Sequence, residues 1–459
     1  MGHIPVEVWL QVFSLLDRDD LISLHHASRS FHRLSRPLLF KHFHFYPYAA
    51  ISYSRTYSEF LIPGEVEIKR TIRRLRFWAS DDVAPLFKEC MVAPCEITSS
   101  QRGRYAACHD GDVLLRVFVE LLPRFINLRK LSACSIKFGQ LFIDALMSLP
   151  NLKEIESAKC AISEVAASHL LKVERLSFLE AGAGAQQWLS IVDPQMLTHL
   201  SLFSENAVTG ILNADNTTPL FPNVVTLVVN VYWLNEDMLA LHRFPAVRAA
   251  HIVIPMELTR SSTASFFPLL DTYRGPPEFL IFLDSRSPLR RLQIDSCRPA
   301  RVEKILQSCT HMLRSITELN LSFHGLPIPS FGLIVEAFPA LVELCIQIRL
   351  DRYSRSTQTG KMFTAQTFYL DIAGKSPFPC GLKAISIVWS SDTGPEGVAV
   401  VPAAKLAWET LSAAHLELWR GHFAWPGAEC VFRRKADGEF EEEIHEGVKT
   451  PTILYDDFI

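Results

Sequence analysis

No apolar run in this sequence approaches the roughly 20 residues that a membrane-spanning helix requires, so a helical membrane anchor is not expected. A basic excess is missing too. Lys plus Arg number 46 against 49 Asp plus Glu, a net charge of −3, which argues against a dedicated nucleic-acid binder. The ten cysteines form no evenly spaced framework, and the start of the chain has no basic stretch leading into an apolar one. Met1-Gly2 would suit myristoylation, but Val6 stands where the acceptor pattern wants Ser or Thr. Reduced thiols and a cytoplasmic or nuclear location are the expectation.

Signatures of catalysis are absent as well. There is no G-x-S-x-G elbow, no G-x-x-x-x-G-K-[ST] loop and no H-E-x-x-H. Gly182-Ala183-Gly184 is a Gly-x-Gly whose next required glycine position holds Gln187, so it reads as a turn. Cys90, Cys95, Cys108 and His109 could be mistaken for a metal set, but structural sites pair their ligands at short repeated intervals and these do not. His25-His26 and His42-x-His44 are read as packing residues. Lys69, Arg70, Arg73, Arg74 and Arg76, interrupted by Ile72, Leu75 and Phe77, are read as the polar side of a strand. Neither metal nor cofactor is expected.

A repeating pattern is present. Its unit is apolar, two others, apolar, one other, apolar, and it begins at Ile72-Leu75-Phe77. The middle position recurs at 131, 155, 176, 200, 227 and 250, again at 292, 319, 344 and 385, and more weakly in Ala413-Leu416-Leu418. Most steps fall within the 20–29 residues of a leucine-rich repeat. Each unit reads as a short strand with its apolar side chains inward, alternating with helical stretches such as 139–149, 302–313 and 330–338. Prolines at 150, 222, 245 and 339 precede the strands by a few residues and stop what comes before them. Cys160 and Cys297 fall in the turn after the strand, where such repeats commonly place Asn or Cys. The gaps after positions 250 and 344 read as one repeat plus an insertion. The acidic run 437–443 reads as a solvated strand or loop before an apolar tail, Ile453-Leu454-Tyr455.

The stretch from Ile4 to Phe45 has a different period. Pro5 suits the opening of a helix, and Val8, Trp9, Val12, Phe13, Leu15 and Leu16 give that helix a wide apolar face. Asp17 is an N-cap for a second helix with Leu21, Ile22 and Leu24 inward, and Ser28 or Ser30 caps a third carrying Phe31 and Leu34, which Pro37 stops. About forty residues cannot bury this much apolar surface alone, so a partner is expected.

Ile4-Pro5-x-Glu7, Leu15-Leu16-Asp17, Asp20-Leu21, Arg29-x-Phe31 and Pro37-Leu38-Leu39-Phe40 together resemble an F-box, with Ile4 for the usual Leu and Phe40 where Trp is common. The resemblance implies that Ile4, Pro5, Val8, Val12, Leu15, Leu16 and Leu21 pack on a Skp-type adaptor, and through it join cullin and RING subunits of a ubiquitin ligase. The repeats resemble the irregular leucine-rich repeats of many F-box proteins. The expected fold is α/β: a three-helix F-box at 1–45, a connector at 46–65, a solenoid at 66–425 with a curved parallel sheet inside and helices outside, and an acidic cap at 426–459. A protein target would meet the outward strand positions. These include Arg129, Lys130, Lys153, Glu154, His199 and Glu343, with Arg290, Arg291, Gln293 and Glu318 as the leading candidates. Arg290 and Arg291 suit a carboxylate or a phosphorylated residue. The alternatives are a non-degradative scaffold and, from another class, an enzyme with its site in an insertion.

Overall fold

The computed structural model describes residues 5–53, 56–97, 105–107, 113–163, 170–180, 185–203, 220–230, 238–253, 265–297, 306, 310–324, 333, 335–350, 379, 381–391, 405, 417–423, 428–434 and 440–446. The chain divides into two compact units, Met1–Asn223 and Val224–Ile459.

The first unit opens with α1 (Val6–Ser14), α2 (Arg18–Ala27) and α3 (Arg29–Leu39). The caps follow from the side chains. The Asp17 carboxylate accepts the Asp20 N–H at 2.8 Å, and the Ser28 hydroxyl accepts the Phe31 N–H at 3.1 Å. Pro37 does not stop α3. It lies in the last turn, where a missing N–H removes one bond, and the Phe40 N–H still reaches the Arg36 carbonyl at 3.1 Å.

β1 (His42–Phe45) leads into a hairpin of β2 (Ala49–Tyr53) and β3 (Thr56–Pro63), so the polar, aromatic passage after Tyr46 is itself built of strands. With β5 (Cys95–Ile97) and β6 (Tyr105–Ala107) the hairpin forms a small sheet in the order β5-β2-β3-β6. Between them, α4 (Glu65–Trp78) occupies the segment expected to hold the first repeat strand. The reason is that an apolar pair three residues apart, such as Ile72 and Leu75, fits a helix face as well as the repeat pattern. Leu75 and Thr71 turn inward, Phe77 is exposed, and the basic string lies along the helix, with Arg74 stacked 5.1 Å over Trp78.

The main sheet of this unit is parallel: β1, then β4 (Glu89–Val92), β7 (Lys130–Cys134), β9 (Glu154–Ala158), β11 (Arg175–Glu180) and β12 (His199–Leu202). Its register puts Phe43, Cys90, Leu131, Ile155, Leu176 and Leu200 side by side, all buried. Against that row pack α5 (Val113–Leu121) and the rings of Phe87 and Phe125, with Phe43 on Phe125 at 5.1 Å and Phe45 on Phe118 at 4.7 Å. The turns are tied strand to strand. Asn151 Nδ2 donates to the Ile126 carbonyl at 2.9 Å and Asn223 Nδ2 to the Gln195 carbonyl at 2.6 Å. Cys160, expected in such a turn, accepts the Ile136 N–H at 3.4 Å and lies 3.4 Å from the Ala133 carbonyl. Beyond each turn, β8 (Lys137–Phe138) and β10 (Ala161–Ile162) pair with one another, and α6 (Gln140–Met147) and α7 (Ala185–Ile191) follow their strands.

The second unit repeats the arrangement with β13 (Thr226–Asn230), β14 (Ala249–Val253), β15 (Thr272–Gly275), β16 (Arg291–Cys297), β17 (Glu318–His324), β18 (Glu343–Leu350), β19 (Ala384–Ser391) and β20 (Leu418–Phe423), all parallel. Leu227, Ala250, Tyr273, Leu292, Leu319, Leu344, Ile385 and Trp419 stand in one register row. The gap after position 250 therefore holds a strand of its own, β15, and the last register position is Trp419 rather than Leu416, which lies outside the described residues. α8 (Thr310–Leu313) precedes β17. The sheet ends in an antiparallel meander of β20, β21 (Ala428–Arg434) and β22 (Phe440–Glu446). Part of the acidic run is thus an edge strand, a placement where charge discourages further pairing. There Glu442 meets Lys405 at 2.6 Å; Ile453 to Tyr455 lie outside the described residues. Among the described residues no helix is long and apolar enough to cross a membrane.

Candidate functional site

Two surfaces stand out. The first is α1. Phe13 is its one buried residue, 1% exposed, and it meets Trp9 and Phe31 with ring centres 5.8 and 5.4 Å apart. Trp9 is half-buried beside it, and the helix's other apolar side chains face out: Val6, Val8, Leu10 and Val12 are each 37–45% exposed, and Leu15 at the C-cap is 85% exposed. Val8, Val12 and Leu15 follow one another at helical steps of four and three, so they form one stripe. Of the residues expected to face a partner, Pro5, Val8, Val12 and Leu15 are exposed, Leu16 is half-buried, and Ile4 lies outside the described residues. Leu21 departs from that expectation. It is 8% exposed, because α2 folds it into the module, and Ile22 is the exposed member of the pair. Nearby, His25 packs on His32 with ring centres 3.9 Å apart and bonds Ser35 through Nδ1 at 3.0 Å. Burial, then the neighbouring His32, His26 and Arg36, lower its pKa.

The second surface is the outward side of the strands. In the first unit Lys130 Nζ lies 2.8 Å from Glu154 and also meets Glu156, whose other oxygen accepts from Ser132 Oγ at 2.6 Å. Burial opposes ionisation of Glu156, but the bonds from Lys130 and Ser132 outweigh it and its pKa is lowered. Lys153 pairs with Glu174 at 2.6 Å. His199 is held below its usual pKa by burial and by Arg175.

In the second unit the row next to the buried one runs His251, Arg274, Gln293, Asn320, Cys345, Ser386, Arg420 across seven strands. Its first members are structural. Arg274 Nε donates to Asp295 at 2.9 Å, and Gln293 Nε2 donates to the other oxygen of Asp295 at 2.9 Å. Gln293, expected to meet a target, is 6% exposed and serves this internal network instead. Beside it, burial and the Arg274 charge push the His251 pKa down to about 4, against a smaller upward pull from Asp295.

Farther along, the surface opens into a groove of about 300 Å³ that includes Arg291, Glu318, Asn320, Glu343, Ser386 and Arg420 in its lining. Arg291 and Glu318, both expected here, are in it and pair with each other at 3.0 Å. Arg290 is not in it; its side chain is exposed, 4.0 Å from Asp271. Glu343, exposed on β18, has no basic partner among the described residues. Asn320, Ser386 and Arg420 are not among the residues expected from the sequence; Asn320 stands two residues beyond the outward Glu318, which is the signal that finds it, whereas Ser386 and Arg420 follow Ala384 and Leu418, which carry no outward signal.

Cys90 and Cys95, set aside above as metal ligands, lie in different sheets. Cys90 is buried in the core row, which raises its thiol pKa well above normal, Cys95 sits in the small sheet, and Cys108 and His109 lie outside the described residues. Among the described residues no group of His, Cys, Asp or Glu could hold a metal ion.

A small helical module with an unburied apolar stripe thus precedes parallel strands that present a polar face, and exposed apolar stripes of this kind mark contact surfaces. The particular domain is identified by sequence comparison: residues 1–46 match the F-box-like family, so the chain carries an F-box-like domain there. No curated protein matches the chain.

Proposed function

We propose that the protein is the substrate-recruiting subunit of a Skp–cullin–F-box ubiquitin ligase, acting in the cytoplasm or nucleus, with α1 on the adaptor and the strand face on a protein target. The stacked strands are read as degenerate leucine-rich repeats of a solenoid. In-register parallel strands at intervals of about 25 residues support that reading. The observation that carries the proposal is the stripe of Val8, Val12 and Leu15, exposed in a domain whose family binds Skp-type adaptors generally. No side chain performs covalent chemistry in this account. The contribution is proximity, holding target lysines near the ubiquitin donor.

The test uses the full chain and purified Skp-type adaptor, comparing the native protein with the Val8→Asp/Val12→Asp variant. Two carboxylates at an apolar interface cost several kcal/mol, so capture falls by at least two orders of magnitude. Both positions are about 44% exposed, so the melting curve stays within a degree or two of the native one. Equal capture by both proteins removes α1 from the interface. No capture by the native chain leaves a scaffold without a ligase.

A further inference from the structure

We infer that the groove across β16–β20 receives a lysine or arginine side chain from an extended, unphosphorylated segment of the target. The inference rests on the reading of the strand face as the target surface and adds what that surface selects.

The shape of the groove comes from side-chain size. Along one outward row the cross-strand neighbours are Arg291, Glu318, Glu343, Ala384 and Leu418. At Ala384 the row loses its bulk, and behind it Cys345 and Ser386 are small as well, so the surface sinks. The hollow thus has a carboxylate on one side, Glu343, and an aliphatic wall on the other, Leu418, over a floor of small groups. A long side chain with an aliphatic stem and a cationic head has that distribution of properties.

Charge points the same way. Arg291 is spent on Glu318, 3.0 Å away, and Arg420, also in the lining, acts on Cys345 and has a further interaction of its own. Glu343 remains exposed without a basic partner among the described residues, so it offers an open carboxylate to an incoming cation. A phosphate or carboxylate would have to displace Glu318 to reach Arg291. Arg274 faces Asp295 at 2.9 Å, Arg290 faces Asp271 at 4.0 Å, and Arg291 faces Glu318. The expectation that Arg290 and Arg291 read a phosphorylated residue therefore loses its free cations. A lysine or arginine head at Glu343 forms a charge-assisted bond without breaking an existing pair.

The test pans a displayed library of random dodecapeptides on the full chain, in native form and as Glu343→Gln and Glu343→Lys. The native chain enriches peptides with Lys or Arg at a fixed position. Glu343→Gln weakens those peptides by about tenfold or more, as loss of a charge-assisted bond does, and Glu343→Lys shifts enrichment toward acidic residues. Unchanged melting curves show that the exposed substitutions leave the fold intact. The inference is overturned by enrichment of acidic peptides on the native chain, by indifference to Glu343→Gln, or by no enrichment at all. It is also overturned if Glu343→Gln abolishes a concentration-dependent self-association, since the occupant is then a second copy. Adaptor capture, measured on the same preparations, separates the two readings: Glu343 lies far in sequence from α1, so a chain that binds adaptor but selects no basic peptide refutes the groove alone.

Discussion

Phe13→Ala is expected to unfold the N-terminal helices while leaving the sheets intact. Phe13 is the one side chain that α1 buries, and its ring joins those of Trp9 and Phe31 into the module's small core. Truncating a buried Phe costs roughly 3–5 kcal/mol through lost transfer energy and the cavity left behind. A helical module of about forty residues holds little more than that without help. Limited proteolysis reads the result. Cleavage within residues 5–39 accelerates at least a hundredfold in the variant, and fragments that retain β1 and the rest of the sheet persist. Cleavage at the native rate would mean that the module's stability comes from elsewhere, and the aromatic trio would lose its assigned role.

Gly275→Ala is expected to do comparable damage in the second unit. Gly275 closes β15 with φ +153°, a backbone state that side chains rarely adopt. A Cβ there would stand 2.3 Å from the Ile252 carbonyl oxygen and 2.6 Å from the Tyr273 hydroxyl. Neither atom is free to move. Ile252 belongs to β14, and the Tyr273 hydroxyl donates to the Pro276 carbonyl at 2.8 Å from a fully buried ring. Strain plus overpacking of this kind costs roughly 2–4 kcal/mol. Hydrogen exchange over β14–β16 would rise by two to three orders of magnitude while β7–β11 stay protected. Native protection over β14–β16 would show that the backbone relaxes around the added methyl group.

Much of the strand register could be read from the amino-acid sequence, for a physical reason. Leu131, Ile155, Leu176 and Leu200 in the first unit, and Leu227, Ala250, Leu292, Leu319, Leu344 and Ile385 in the second, fall on one register row in each unit because each must be buried on the same side. Where the row is filled by other residue types the pattern went unseen. Phe43, Cys90 and Tyr273 occupy register positions on strands of only four residues, too short for alternation to show. Ile72 and Leu75 misled in the opposite direction, since their spacing suits a helix equally.

The surfaces were legible in part. An apolar face on α1 follows from periodicity, but that face is wide, so which part of it meets Phe31 and which stays exposed depends on α3. Asp17 and Ser28 were recognisable as caps because capping is local. Gln293 was misjudged because its burial depends on Arg274, from another strand, turning to Asp295. The groove itself arises from Ala384 standing beside Glu343, neighbours in the sheet but 41 positions apart along the chain.

Hydrogen exchange of the full chain with and without purified Skp-type adaptor tests the central claim most directly. The account expects slowed exchange concentrated in α1 and the turn to α2, around Val8, Val12 and Leu15, with the strand rows unchanged. Unaltered exchange in α1 at saturating adaptor, or protection confined to the strands, would contradict it.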